Sequence, residues 1–435
     1  MPVCDHSYHI ISAGLCLVKR KSVIVIPTLL VLSLLLNLAA WLIPGFSDWY
    51  AEKLFPLVTA PLARMTGLMS ISLGEWMLLA AMFWIVILAG VVIVLAFRFV
   101  QARRDAASED RGCADSAAGT DPSGGTADRK LSDGIRRSGR VLSRIGRFPR
   151  CYIQATGWLI AIIAPIMTLN CFILYHTTPL EESLSGYGQE YTIEELGELR
   201  DYIVEKCNTL SEEMPRDENG EVIYEGGEDA MAETAREAVS LLGEREDLPA
   251  ALSRLSGWQT TPKALFFSGF VSQQYIQGYY FPFSMEANYN SIMKIMNKPS
   301  TMCHELAHTH GFIYEDEANL IGFLACVGSE DVIFQYSGWL SVLYYVNNSY
   351  YANVDETTYK SHPSISERVR FDNEFLSDEA WEEVEEDALL DTETVKAATD
   401  TYLDTTLKAN GVESGKASYS HVVELLLMYY DGTYD

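Results

Sequence analysis

Basic residues are scarce in the second part of this 435-residue chain. Only 15 of its 32 Lys and Arg follow residue 175, against 48 of its 59 Asp and Glu. A segment that acidic excludes nucleic acid, and anionic membrane surfaces, as partners bound by charge. Its acidity is sufficiently explained by the solubility of an exported domain. Cysteine is thin too: of eight, only Cys207, Cys303 and Cys326 lie there, too few for a disulfide framework. Charge is missing altogether from three apolar stretches, 23–43, 76–97 and 152–174. Each is long enough to cross a bilayer as a helix of about 20 residues.

Basic flanks orient those spans. Lys19, Arg20 and Lys21 precede the first, and residues 98–151 hold twelve bases against seven acids, whereas the connection between spans one and two has only Lys53 and Arg64. Bases stay cytoplasmic, so the N-terminus is expected inside and everything after His176 outside. The expected division is a membrane region over 1–175 and an extracytoplasmic domain over 176–435, whose 260 residues can bury a sizeable core. Ala39-Ala40 leaves open a cleaved signal peptide, but the apolar run is long for one and favours an uncleaved anchor. Within the basic loop, 105–128 reads as a disordered linker and 129–150 as an amphipathic segment able to lie on anionic lipid.

The strongest chemical signal is His304-Glu305-Leu306-Ala307-His308. Helical residues four apart share a face, so both imidazoles can reach one metal ion while Glu305 flanks it. Zinc in such a site makes bound water acidic, and a neighbouring carboxylate can take its proton and pass it to a leaving amine. Uncharged flanks, Met302 and Cys303 before and Thr309 after, suit a buried helix better than a surface helix with incidental histidines. Cys303 itself reads as a small buried residue.

Zinc needs a third protein ligand. Gly311 should end the helix, and 312–326 reads as a second helix with Glu315, Asp316 and Glu317 in its first turns. Glu315 shares a face with Ala318, Asn319, Gly322 and Cys326, whereas Glu317 shares one with Leu320, Ile321 and Leu324. Small residues allow close helix approach, which makes Glu315 the expected ligand, Asn319 a supporting donor and Glu317 the alternative.

Glu315-Asp316-Glu317-Ala318-Asn319 resembles the ExxAN form of the third-ligand signature of gluzincin peptidases, in which the first Glu binds the metal. Only six residues separate His308 from Glu315, shorter than is usual there, and His304 to Gly311 also fits the HExxHxxG opening of metzincins, whose third histidine would fall on Tyr314. A tyrosine is the poorer zinc ligand, so the gluzincin-like reading is preferred. The whole layout resembles an uncharacterised bacterial family, a domain of unknown function with N-terminal spans and an HExxH domain. The pieces that carry this are Tyr280-Phe281-Pro282-Phe283, Glu286-Ala287-Asn288, 303–308, 315–319 and Leu407-Lys408-Ala409-Asn410-Gly411. That resemblance implies a membrane metallopeptidase and brings no substrate with it.

Elsewhere, 192–210 and 229–242 are helical by period, with Asn219-Gly220 as a turn between them. Residues 264–271 and 275–283 alternate aromatic and small side chains and read as strands. The second is a candidate edge for binding an added substrate strand, with plain sheet core as the alternative and Pro282 favouring the edge. A Tyr-rich helix runs from 332 to 351, an acidic helical region follows, and 418–430 forms a C-terminal helix. Tyr336, Tyr345, Arg370 and His421 are the candidates for stabilising an oxyanion. The expectation is thus an α-helical membrane anchor of three transmembrane helices followed by an α+β zincin-like, gluzincin-type domain. It would be a multi-pass cell-membrane zinc (Zn2+) metallopeptidase acting on protein or peptide substrates. His304, His308 and Glu315 would bind metal, and Glu305 would be the general base. The rival reading is a membrane-tethered sensor or binding protein with a structural zinc site, against which the intact Glu305 speaks.

Overall fold

The computed structural model describes residues 6–116, 147–410 and 421–431. The linker and amphipathic stretch expected within 105–150 therefore fall largely outside the described residues, as do Gly411 and the start of the expected 418–430 helix. Among the described residues, three helical segments are long and apolar enough to cross a membrane: Ile24–Leu42, Leu73–Gln101 and Cys151–His176. They coincide with the three charge-free stretches.

The chain divides into two compact units. One comprises Met1–Val31 with Trp76–Ala164, the other Leu32–Glu75 with Pro165–Asp435. In the first, Tyr152 donates to the Trp84 carbonyl at 2.6 Å, the Trp84 indole donates to Thr156 Oγ1 at 3.0 Å, and the two rings stack. Such bonds tie helices together where water is absent.

In the second unit, the connection between spans one and two packs with the chain that follows Pro165. Its helix Phe55–Gly67 carries Pro56 in its first turn, where the missing N–H costs little. Tyr50, Phe55 and Ala63 pack with Ile173 and Leu174 from the end of span three and with Met285 and Ile313. Thr66 donates to the Ser284 carbonyl at 2.8 Å, and Asp48 accepts from the backbone and hydroxyl of Thr178. Local sequence could not show this, since each contact joins residues more than 100 apart.

Around the main core, helix Ile193–Glu213 opens with a capping box between Thr192 and Glu195. Helix Gly227–Gly243 follows after a turn that contains Gly220 at φ +85°. The sheet is small: β1 (Lys263–Ala264), β2 (Gly278–Phe281) and β3 (Glu286–Tyr289), in the order β1-β3-β2. β1 runs parallel to β3, and β2 antiparallel to it, with Gly278 opposite Tyr289 and Phe281 opposite Glu286. The strand expected over 264–271 is corrected to two residues of strand followed by helix Ser268–Gln273. Leu265, Ser268 and Val271 are the buried positions, a spacing of three that suits a helix. The N–H groups of Phe266 and Phe267 are held by the Glu75 carboxylate at 2.8 and 2.9 Å, away from any strand partner. The strand expected over 275–283 narrows to β2, an edge strand.

Two further helices form the site, Lys298–Thr309 and Glu315–Val327. The first ends where Gly311 adopts φ +88°, a left-handed conformation that a side chain would strain. The second begins three residues later than expected, because Tyr314 is extended and caps it. Helix Val332–Asn353 follows, capped by Asp331, then the acidic helices and the C-terminal helix Val422–Tyr430.

Candidate metal centre

His304 and His308 project from one face of helix Lys298–Thr309, and Glu315 opens the helix packed against it. Their donor atoms converge: His304 Nε2 lies 3.1 Å from His308 Nε2 and 3.2 Å from Glu315 Oε2, and His308 Nε2 lies 3.7 Å from the same oxygen. Ligands about 2.0–2.1 Å from a tetrahedral ion stand roughly 3.3 Å apart, so the three atoms are spaced like one face of such a tetrahedron. Among the described residues this is the one group of three His, Cys, Asp or Glu side chains close enough to share an ion.

The proton on His308 is placed for that role. Its Nδ1 lies 2.6 Å from the Phe312 carbonyl, which can only accept, so Nδ1 carries the hydrogen and Nε2 presents its lone pair inward. Burial pulls the imidazole down, but the Glu315 carboxylate outweighs that and raises its pKa to about 9. A proton and a cation are thus alternatives at Nε2. Burial also drives His304 down, against the pull of Glu315. In Glu315 burial is overruled by both imidazoles, which hold the carboxylate well below the usual range. Asn319, one turn after Glu315, lies near enough to help hold the His304 pKa up, and its Nδ2 is buried without a partner among the described residues.

Close helix approach makes this possible. A Cβ on Gly322 would lie 3.0 Å from the Ser300 carbonyl and 3.3 Å from the His304 nitrogen, both backbone atoms. The small-residue face read from the sequence is the one that packs. Glu317 points elsewhere: its carboxylate accepts the Leu180 N–H at 2.6 Å and lies outside the cluster of His304, His308 and Glu315.

Glu305 lies under the edge strand. A Cβ on Gly278 would come within 2.6 Å of Glu305 Oε1, so the glycine makes room for the carboxylate. Burial pushes the Glu305 pKa up to about 8, and Oε2 has no hydrogen-bond partner among the described residues. A divalent cation nearby would oppose that rise. Thr301 bonds Gln277 at 2.9 Å, which fixes the start of the strand to the helix below it.

These groups line a cavity of about 860 Å³ whose wall includes β2, Tyr345 and, from the end of span three, Cys171 and Tyr175. Tyr345 is thus the one oxyanion candidate that the structure brings to the cavity. Tyr336 is fully buried and donates to Asp372 at 2.7 Å, Arg370 is exposed on another helix, and His421 pairs with Asp316 at 2.7 Å. Sequence reasoning missed Gly278, Cys171 and Tyr175. Only the glycine inside an aromatic strand could have signalled a close approach.

Residues 137–427 match the family described as protein of unknown function (DUF3810), and the chain belongs to that family. No curated protein and no solved structure matches the chain.

Proposed function

We propose that this protein is a membrane-anchored zinc peptidase of gluzincin type. The observation that carries the reading is the convergence of His304, His308 and Glu315 at tetrahedral spacing with the Glu305 carboxylate in the same cavity beneath an edge strand. His304 Nε2, His308 Nε2 and Glu315 Oε2 would hold the ion. When bound, zinc supplies a Lewis acid that acidifies water and polarises a carbonyl.

The remaining work falls to the chain. Glu305 Oε2 accepts a proton from the attacking water and returns it to the leaving amine, a contribution typically of about 10²- to 10⁴-fold. The Phe312 carbonyl keeps the His308 lone pair inward throughout. The outer edge of β2 offers backbone groups to an extended peptide, which aligns the scissile bond above the helix. Tyr345 lines the same cavity and would be the donor to the developing oxyanion. The sidedness proposed with this function follows the basic flanks: N-terminus cytoplasmic, peptidase domain outside.

Metal content tests the site. Purified full-length protein should carry one zinc per chain by elemental analysis, His308→Ala and Glu315→Gln should lose or weaken it, and Glu317→Gln should keep it. Full retention in Glu315→Gln with loss in Glu317→Gln would contradict the ligand assignment.

A further inference from the structure

We propose that Phe267 and Phe270, with Leu68, Met69 and Ile71, form a seat that enters the bilayer at the foot of the helix that starts at Leu73. These side chains are exposed, Phe270 by 54% and Leu68 by 89%. Large apolar groups gathered in this way mark an interaction surface.

Two sets of bonds fix both segments to the first turn of the helix that starts at Leu73. Glu75 accepts the N–H groups of Phe266 and Phe267. Glu286 accepts those of Leu73 and Gly74, and its buried partner Lys263 donates to the Thr66 and Ile71 carbonyls. A Cβ on Gly74 would collide with the Phe281 ring, so the helix start is also packed on the sheet. That helix is a candidate span. One turn is about 5.4 Å, whereas the interfacial layer is some 5–8 Å deep on each side of the hydrocarbon. The patch is therefore tied close to the residue at which that span begins.

Charge separates lipid from a protein partner. The unit is rich in acid, and the acidic helix Asp378–Glu386 packs through Val384 beside Gly269, yet residues 264–277 themselves contain no charged side chain and residues 64–74 contain only Arg64, which lies over the Trp258 ring. Anionic headgroups would tolerate such a face and would repel an acidic one. Cys171 and Tyr175 belong to the last turns of span three and line the cavity, which brings the cavity wall to the same interface. If the peptidase reading above holds, the bonds within reach are those just outside a membrane-embedded segment. That consequence rests on that reading, but the seat does not.

The test places the photo-crosslinking residue p-benzoylphenylalanine at Phe270, at Phe267 and at Leu68 in the full-length chain in its native membrane. Ile223, exposed by 45%, serves as the control site. Irradiation should give phospholipid-mass adducts at Phe270, Phe267 and Leu68 and none at Ile223. Protein adducts at those positions, or lipid adducts no more frequent than at Ile223, would overturn the seat. The readout requires no turnover, so its failure and that of the peptidase reading are distinguishable.

Discussion

Gly278→Ala should disable the base without emptying the metal site. The new Cβ would lie 2.6 Å from Glu305 Oε1, 2.8 Å from Glu305 Cγ and 2.7 Å from the Asn288 carbonyl. Carbon normally keeps about 3.5 Å from its neighbours, so something must retreat by nearly 1 Å. The Asn288 carbonyl belongs to β3, which is paired on both sides and gives little. The Glu305 side chain moves instead. A displacement of about 1 Å costs on the order of 10²-fold in rate, and overpacking costs about 1–3 kcal/mol of stability. The three atoms nearest the new Cβ belong to Glu305 and Asn288 and not to His304, His308 or Glu315, so metal content should hold. The assay compares peptide cleavage at matched zinc content, with thermal unfolding run in parallel. Gly269→Ala is the control, because its Cβ would meet only Val384 at an ordinary 3.9 Å. If Gly278→Ala folds, keeps zinc and cleaves within about threefold of wild type, a span far below the 10² expected, the placement of Glu305 is irrelevant and the reasoning fails.

Three other perturbations report on separate features. Gly322→Ala should weaken metal binding measurably in a competition titration, because the Ser300 carbonyl 3.0 Å away is backbone and forces the two helices apart; unchanged affinity would argue that their close approach is dispensable. Glu286→Ala strands the buried Lys263 ammonium and should cost about 3–5 kcal/mol in thermal or denaturant unfolding; a loss under 1 kcal/mol would count against that ion pair as an anchor. The hydrogen bond to Asp316 raises His421 to about 9, against partial burial and with help from Glu424 and Glu181. The folded value lies above the unfolded one of about 6.5, so this stabilisation is complete below pH 6.5 and fades as pH rises through 9. The unfolding midpoint should fall across that window in wild type and lose that component of the fall in His421→Gln.

What could be read in advance was local. Four-residue spacing placed His304 and His308 on one face, and the small residues Ala318 and Gly322 pointed to the helix surface that packs closely and so to Glu315 over Glu317. Gly311 ends its helix as its conformation requires. What could not be read depends on distant partners. Phe266 and Phe267 leave the strand pattern because Glu75, some 190 residues earlier, takes their N–H groups. Nothing local in the connection between spans one and two signals its partners, yet Tyr50 and Phe55 join a core with Ile173 and Met285. Gly278 carries no periodic signal, and its role appears only when Glu305 is beneath it. Tyr345 was one of four equivalent candidates until the cavity separated it from Tyr336, Arg370 and His421.

The central claim is that Glu305 drives hydrolysis at a zinc site, and the comparison of wild type with Glu305→Gln tests it most directly. The substitution keeps size and hydrogen-bonding capacity but cannot take the proton. With a cleavable peptide from a library screen and both proteins at equal zinc content, the variant should be slower by about 10²- to 10⁴-fold. Equal rates would contradict the account and leave the HExxH helix as a structural or sensing site.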